Sequence, residues 1–158
     1  MINFFQTTEL TKKIRKEIFS LWNGEYPVQL NYKNILEFDA YLDGLFDQSH
    51  ILVFNEANQI VGWYFDFVRD NERWFAIILD SKAQRQNIGT RIVNLAKQQK
   101  PELHGWVIDH NNYKKSNGQG YNSPLQFYLK NGFKVQQEDK LEGEKISAVK
   151  VRWVNEDI

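Results

Sequence analysis

Apolar residues recur at helical spacing over residues 8–22, where Leu10, Ile14, Ile18, Leu21 and Trp22 share one face and Lys12, Lys13, Arg15, Lys16 and Glu17 the other. Residues 2–6 read as a strand before this helix, and Asn23-Gly24-Glu25-Tyr26-Pro27 breaks it. A second helix is predicted over 34–46, with Asn34 and Glu37 spaced as a capping pair and Ile35, Phe38, Leu42 and Leu45 on one face. Ile51 to Phe54 and Gln59 to Phe67 flank the turn Asn55-Glu56-Ala57-Asn58 as a hairpin, and 73–79 completes a meander. Ile88, Ile92 and Leu95 then mark a helix over 88–99 that Pro101 prevents from continuing. A short strand at 105–108 precedes a long polar stretch, Asp109 to Asn122, of the length seen in lids and mobile loops. Ser123 as N-cap, Pro124 at the first helical position and Gln126 at the third announce a last helix, with Asn131-Gly132 as its stop. Strands near 133–138 and 145–153 end the chain.

The order β-α-α-β-β-β-α-β-α-β-β mixes hairpins with crossover helices, so the expected class is α/β with a mixed sheet and helices on both faces. Strands joined by crossovers are expected to pair in parallel. A ligand belongs at the carboxyl ends of the strands where neighbouring connections diverge, which puts the turn at 79–90 in view.

At 158 residues one domain is expected, covering 1–158. Lys plus Arg and Asp plus Glu both total 20, so no basic field points to nucleic acid. The chain contains no cysteine, which removes disulfides and thiolate chemistry, and His50, His104 and His110 share no metal-ligand spacing, so no metal is expected. No apolar run approaches a membrane span, and a cytoplasmic protein is expected. The alternation of Ile146, Ala148, Val149, Val151 and Trp153 suits an edge strand that could pair with a second copy as a homodimer; burial within the chain's own sheet explains it equally well.

Gln84-Arg85-Gln86-Asn87-Ile88-Gly89-Thr90 turns a strand into a helix and leaves backbone N–H groups without partners, an arrangement suited to a phosphate. The P-loop is excluded because Thr90-Arg91, not Lys-Ser/Thr, follows Gly89, and the three-glycine dinucleotide fingerprint is absent. Together with Phe127-Tyr128-Leu129-Lys130-Asn131-Gly132-Phe133 about 40 residues on, the stretch from Leu79 to Thr90 resembles the GNAT acyl-CoA-dependent N-acetyltransferases. The resemblance implies a central mixed sheet of six to seven strands flanked by about four helices, acetyl-CoA as co-substrate, and transfer of acetyl to a primary amine on a small molecule or peptide. It further implies that the loop from Gln84 to Thr90 holds the CoA pyrophosphate, that backbone groups of Ile77 and Leu79 pair with the pantetheine arm, and that Tyr128 is the general acid for the departing thiolate.

Two positions depart from the family pattern: Asn87 replaces the first loop glycine, and Tyr121 stands seven places before Tyr128 where Asn is frequent. In members with a carboxylate base, the matching strand position is here Arg73, which leaves Glu72, Asp109 and Asp66 as candidates beside His110. Trp22, Tyr26, Tyr32 and the hairpin near Trp63 are candidates to contact the acceptor, although core packing accounts for the same rings. Two functions are compatible with these features: an N-acetyltransferase, and an acyl-CoA-binding sensor or interaction module of the same shape.

Overall fold

A computed structural model describes residues 1–83, 86–143 and 145–156. Its elements run β1 (Asn3–Thr7), α1 (Lys12–Glu25), α2 (Ile35–Asp43), β2 (Phe46–Phe54), β3 (Ile60–Arg69), β4 (Glu72–Leu79), α3 (Ile88–Gln99), β5 (Glu102–Val107), α4 (Leu125–Lys130), β6 (Lys134–Glu142) and β7 (Ser147–Val154). The strands form one sheet in the order β1-β2-β3-β4-β5-β7-β6. Only β4 and β5 run parallel among its paired neighbours.

Local chemistry sets the element ends. Thr11 caps α1 by accepting from the Ile14 N–H, and α1 runs one turn beyond the expected break because Gly24 is tolerated and only Pro27 stops the chain. The Asn34 side chain accepts from the Glu37 N–H at 3.0 Å while the Glu37 carboxylate accepts from the Lys33 N–H at 3.3 Å, a reciprocal cap placed as expected. The β3–β4 hairpin turns on Asp70 and Asn71, both at positive φ, which residues with short polar side chains adopt at least cost. β2 starts five residues before the expected strand; its polar first half is recruited through pairing with β3, with a register break beside the left-handed Asp47.

The two faces of the sheet carry separate apolar clusters. Ile18, Leu21 and Trp22 of α1 and Phe38 and Leu42 of α2 pack on Leu52, Trp63, Phe65, Phe67, Trp74 and Ile78. On the other face Ile88, Ile92, Val93 and Ala96 of α3 and Tyr128 of α4 pack on Tyr64, Phe75, Leu103 and Val151. Each fully buried large side chain contributes on the order of 1.5–3 kcal/mol.

Two expectations change. The connection through α4 does not yield a parallel pair with β5, because β7 inserts between β5 and β6 and pairs antiparallel with both. β7 is therefore interior and its apolar alternation is used inside the sheet; the edges are β6, whose side chains are largely exposed and charged, and β1.

His50 is buried between the indole of Trp63, whose Nε1–H donates to Nδ1 at 3.0 Å, and Gln48, whose Oε1 lies 2.7 Å from Nε2. That pairing requires the neutral ring with its proton on Nε2, and burial pushes its pKa down to about 4. The unfolded chain takes up this proton near the ordinary 6.5 and the native chain does not until about 4, so stability falls as pH drops through that window. We expect the wild-type unfolding free energy to fall by up to about 3 kcal/mol from this group between those pH values, and His50→Gln to show a correspondingly flatter pH dependence in urea titrations.

Candidate functional site

β4 and β5 pair only through Trp74 and His104. Beyond that point β4 remains paired with β3, and β5 with β7, so the two strands part and open the sheet. Gly105 permits the parting to be filled tightly at its base: a Cβ there would lie 2.9 Å from the Phe75 ring.

Two cavities meet at this opening. The first, of about 360 Å³, lies between Ile77–Leu79, the start of α3 (Asn87, Gly89, Thr90) and the start of α4 (Ser123, Pro124, Phe127, Tyr128). The second, of about 200 Å³, lies largely on the α1/α2 side and is walled by Trp22, Tyr41, Phe65, Phe67, Trp74 and Trp106 among others. Tyr26, Ile77, Tyr121, Pro124 and Tyr128 border both.

The N-terminal end of α3 borders the first cavity and has no side-chain cap. Asn87 is its N-cap at φ 55° and ψ 23°, a left-handed conformation that Asn tolerates, and its side chain makes no capping bond. The first internal helical bond runs from the Arg91 N–H to the Asn87 carbonyl, so the amides of Ile88, Gly89 and Thr90 have no helical acceptor. No acidic side chain stands in the first turn. Gly89 also sets α3 against α4, since a Cβ would lie 2.9 Å from Phe127 Cζ. Ile88 is buried in the core and offers only its backbone, Gln86 is exposed, and Gln84 and Arg85 lie outside the described residues.

Tyr128 is buried against Phe75, Phe127 and Phe133 in edge-to-face or tilted contacts of 5.1–5.6 Å. Its helix starts where the Ser123 hydroxyl accepts from the Leu125 N–H and donates to the Ile108 carbonyl, tying α4 to the end of β5. Burial, with a smaller effect from Tyr121, raises the Tyr128 phenol well above its ordinary 10. Burial likewise raises Tyr121 to about 12 and raises Tyr26 well above its ordinary 10.

Residues 113–121 strap this opening. Lys115 and Gln119 close a small turn, Lys114 bridges to Gly120, and the Val28 N–H donates to the Lys114 carbonyl at 2.9 Å. Lys115 Nζ meets Glu25 Oε1 at 2.8 Å, and the other carboxylate oxygen accepts from the Ser81 N–H. The polar stretch expected as a loop is thus hydrogen-bonded to the end of α1. Tyr121, noted in the sequence as standing where Asn is frequent, reaches the cavity, and so do Glu25 and Lys115, which carried no signal in the sequence.

The remaining candidates divide. Trp22 lines the second cavity and donates to the Leu30 carbonyl, and Tyr26 lines both cavities. Tyr32 sits one layer back against Trp22, Phe38 and Tyr41, and Trp63 is fully enclosed in the core, so neither borders the cavities. Glu72 stands at the far end of β4, bonded to Lys150 at 3.0 Å; burial raises its carboxyl, but Lys150, His104 and Arg152 outweigh this and hold it below the usual carboxylate range. Asp66 is buried with Arg73, Ser49 and the Tyr64 hydroxyl, away from both cavities. Asp109 is exposed, and His110 bonds Ser147 and the Asn112 N–H. Among the described residues, no group of three His, Asp or Glu is placed to hold a metal, and no helix is long and apolar enough to cross a membrane.

The opened mixed sheet with an uncapped helix at its mouth defines the architecture of acyl-CoA acyltransferases, and comparison agrees. Residues 47–135, more than half of the chain, match the acetyltransferase (GNAT) domain family, and the chain belongs to that family. Similar solved structures include an acyl-CoA N-acyltransferase from Pseudomonas aeruginosa (TM-score 0.68, 15% identity, 96% of this chain and 99% of that one). An aminoglycoside 6'-N-acetyltransferase complexed with coenzyme A superposes with TM-score 0.70 at 13% identity over 96% of each chain. The spermidine/spermine N-acetyltransferase of Vibrio cholerae gives 0.62 at 14% identity over 97% of this chain and 92% of that one. At these identities the likeness is one of fold. No curated protein matches the chain by sequence.

Gly89→Ala is expected to lower the unfolding free energy by about 1 kcal/mol, the collision with Phe127 outweighing the gain in helix propensity. A double-mutant cycle with Phe127→Ala should return a coupling of about 1 kcal/mol; additivity within about 0.5 kcal/mol would contradict the contact.

Proposed function

We propose that the protein transfers the acetyl group of acetyl-CoA to a primary amine by direct attack within a ternary complex. The observation that carries this reading is Tyr128, a buried phenol that borders both cavities at the opened sheet.

Acetyl-CoA supplies an activated acetyl thioester. The residues present fit it: the uncapped amides of Ile88, Gly89 and Thr90 suit a pyrophosphate, and Ile77 and Leu79 line the adjoining cavity along a strand edge that β5 has left. The Asn87 side chain stands where the family pattern has glycine, yet its backbone adopts the left-handed turn that glycine would supply. The larger first cavity therefore takes the donor, and the aromatic second cavity the acceptor.

In this arrangement the amine nitrogen bonds to the acyl carbon, the C–S bond breaks and Tyr128 gives its proton to the sulfur; the proton the nitrogen sheds as the amide forms returns to the phenolate through water. The phenol holds that proton throughout the neutral range because burial has raised it. Orientation supplies much of the remainder, since near-attack placement of two reactants contributes on the order of 7 kcal/mol or more. No carboxylate or His stands among the described residues lining the second cavity, so the acceptor ammonium sheds its proton to water.

Isothermal titration should show saturable binding of acetyl-CoA, and thiol release should depend on added amine. Tyr128→Phe should lower kcat by about 10²-fold or more while acetyl-CoA affinity changes by less than about threefold. The rate should rise with pH as the amine deprotonates, with no descending limb below about pH 10, because the Tyr128 phenol titrates above its ordinary value of 10. Donor binding with no thiol release on any amine would assign sensing instead of transfer.

A further inference from the structure

The acceptor-side cavity carries one cationic side chain, at its exposed margin. Arg69 is the one charged residue among the described residues that line it. Its guanidinium lies 4.7 Å from the Trp74 ring centroid and 5.5 Å from that of Phe67, and no described carboxylate lies within ion-pair distance of it. Trp74, on whose ring Arg69 stacks, is buried and lines the same cavity.

We propose that the acceptor is an aminocarboxylate with an apolar or aromatic side chain, whose carboxylate is held by Arg69; this rests on the transferase reading above. Arg69 matches a carboxylate through two parallel N–H bonds and is already stacked on aromatic faces that hold it in position. Trp22, Phe65, Phe67 and Trp106 surround an apolar side chain. Polyamines and aminoglycosides fit poorly: each brings several cations, the described lining holds no acidic group to pair with them, and Arg69 repels them.

The test compares L-phenylalanine, phenethylamine (the same ring and amine without the carboxylate) and spermidine as acceptors, with acetyl-CoA. Phenylalanine should exceed both others in kcat/KM by about tenfold or more. Arg69→Gln should bring the phenylalanine to phenethylamine ratio near one through KM, with acetyl-CoA affinity unchanged. A second readout needs no turnover: phenylalanine should quench tryptophan fluorescence in the presence of CoA, and Arg69→Gln should abolish the quenching. Turnover indifferent to the carboxylate, or preference for spermidine, overturns this inference and leaves the transferase reading standing. Carboxylate-dependent quenching without turnover of any amine keeps the Arg69 assignment and overturns the transferase reading. No quenching and no turnover overturns both.

Discussion

A single parallel contact governs this structure. β4 and β5 pair in the ladder at Trp74 and His104 alone, and beyond that each pairs with an antiparallel neighbour on its other side. A sheet cannot leave a gap of this kind unless something fills it or a ligand uses it. At the narrow end the Phe75 ring fills the space against Gly105; at the wide end the chain leaves cavities instead. The positions of α3, α4 and the strap all refer to that gap.

The surroundings of the gap favour neutral groups. Three tyrosines border both cavities, and burial holds each phenol protonated. The charged groups nearby are either paired, as Glu25 is with Lys115, or held at the margin, as Arg69 is. Buried surroundings with few charges strengthen the remaining dipoles, including those of the amides at the start of α3, which have no helical acceptor. The strap from 113 to 121 limits access by bonding to the end of α1 instead of lying open.

Much of this was legible in the residues. Helical spacing located α1, α2 and α3, the Asn34 and Glu37 pair located a cap, and the Gly89 and Tyr128 segments located the two sides of the first cavity. What escaped depended on partners distant in the chain. The polar half of β2 is a strand because β3 pairs with it, and β7 is interior because the crossover through α4 leaves a slot beside β5; neither fact is written in local periodicity. Trp63 and Tyr32 could not be told from cavity residues because an aromatic on a strand or connector looks the same one layer in or out. Glu25 and Lys115, 90 residues apart, meet only through the fold.

The two apolar clusters share no buried residue, and the sheet stands between them. The wall of the second cavity is drawn mainly from one cluster, and the packing of α3 and Tyr128 from the other. Substitutions that reshape Trp22, Phe65 or Phe67 therefore act on a different body of side chains from those that seat α3 against α4. The shape of one cavity can thus change while the seating of the helix that borders the other stays intact.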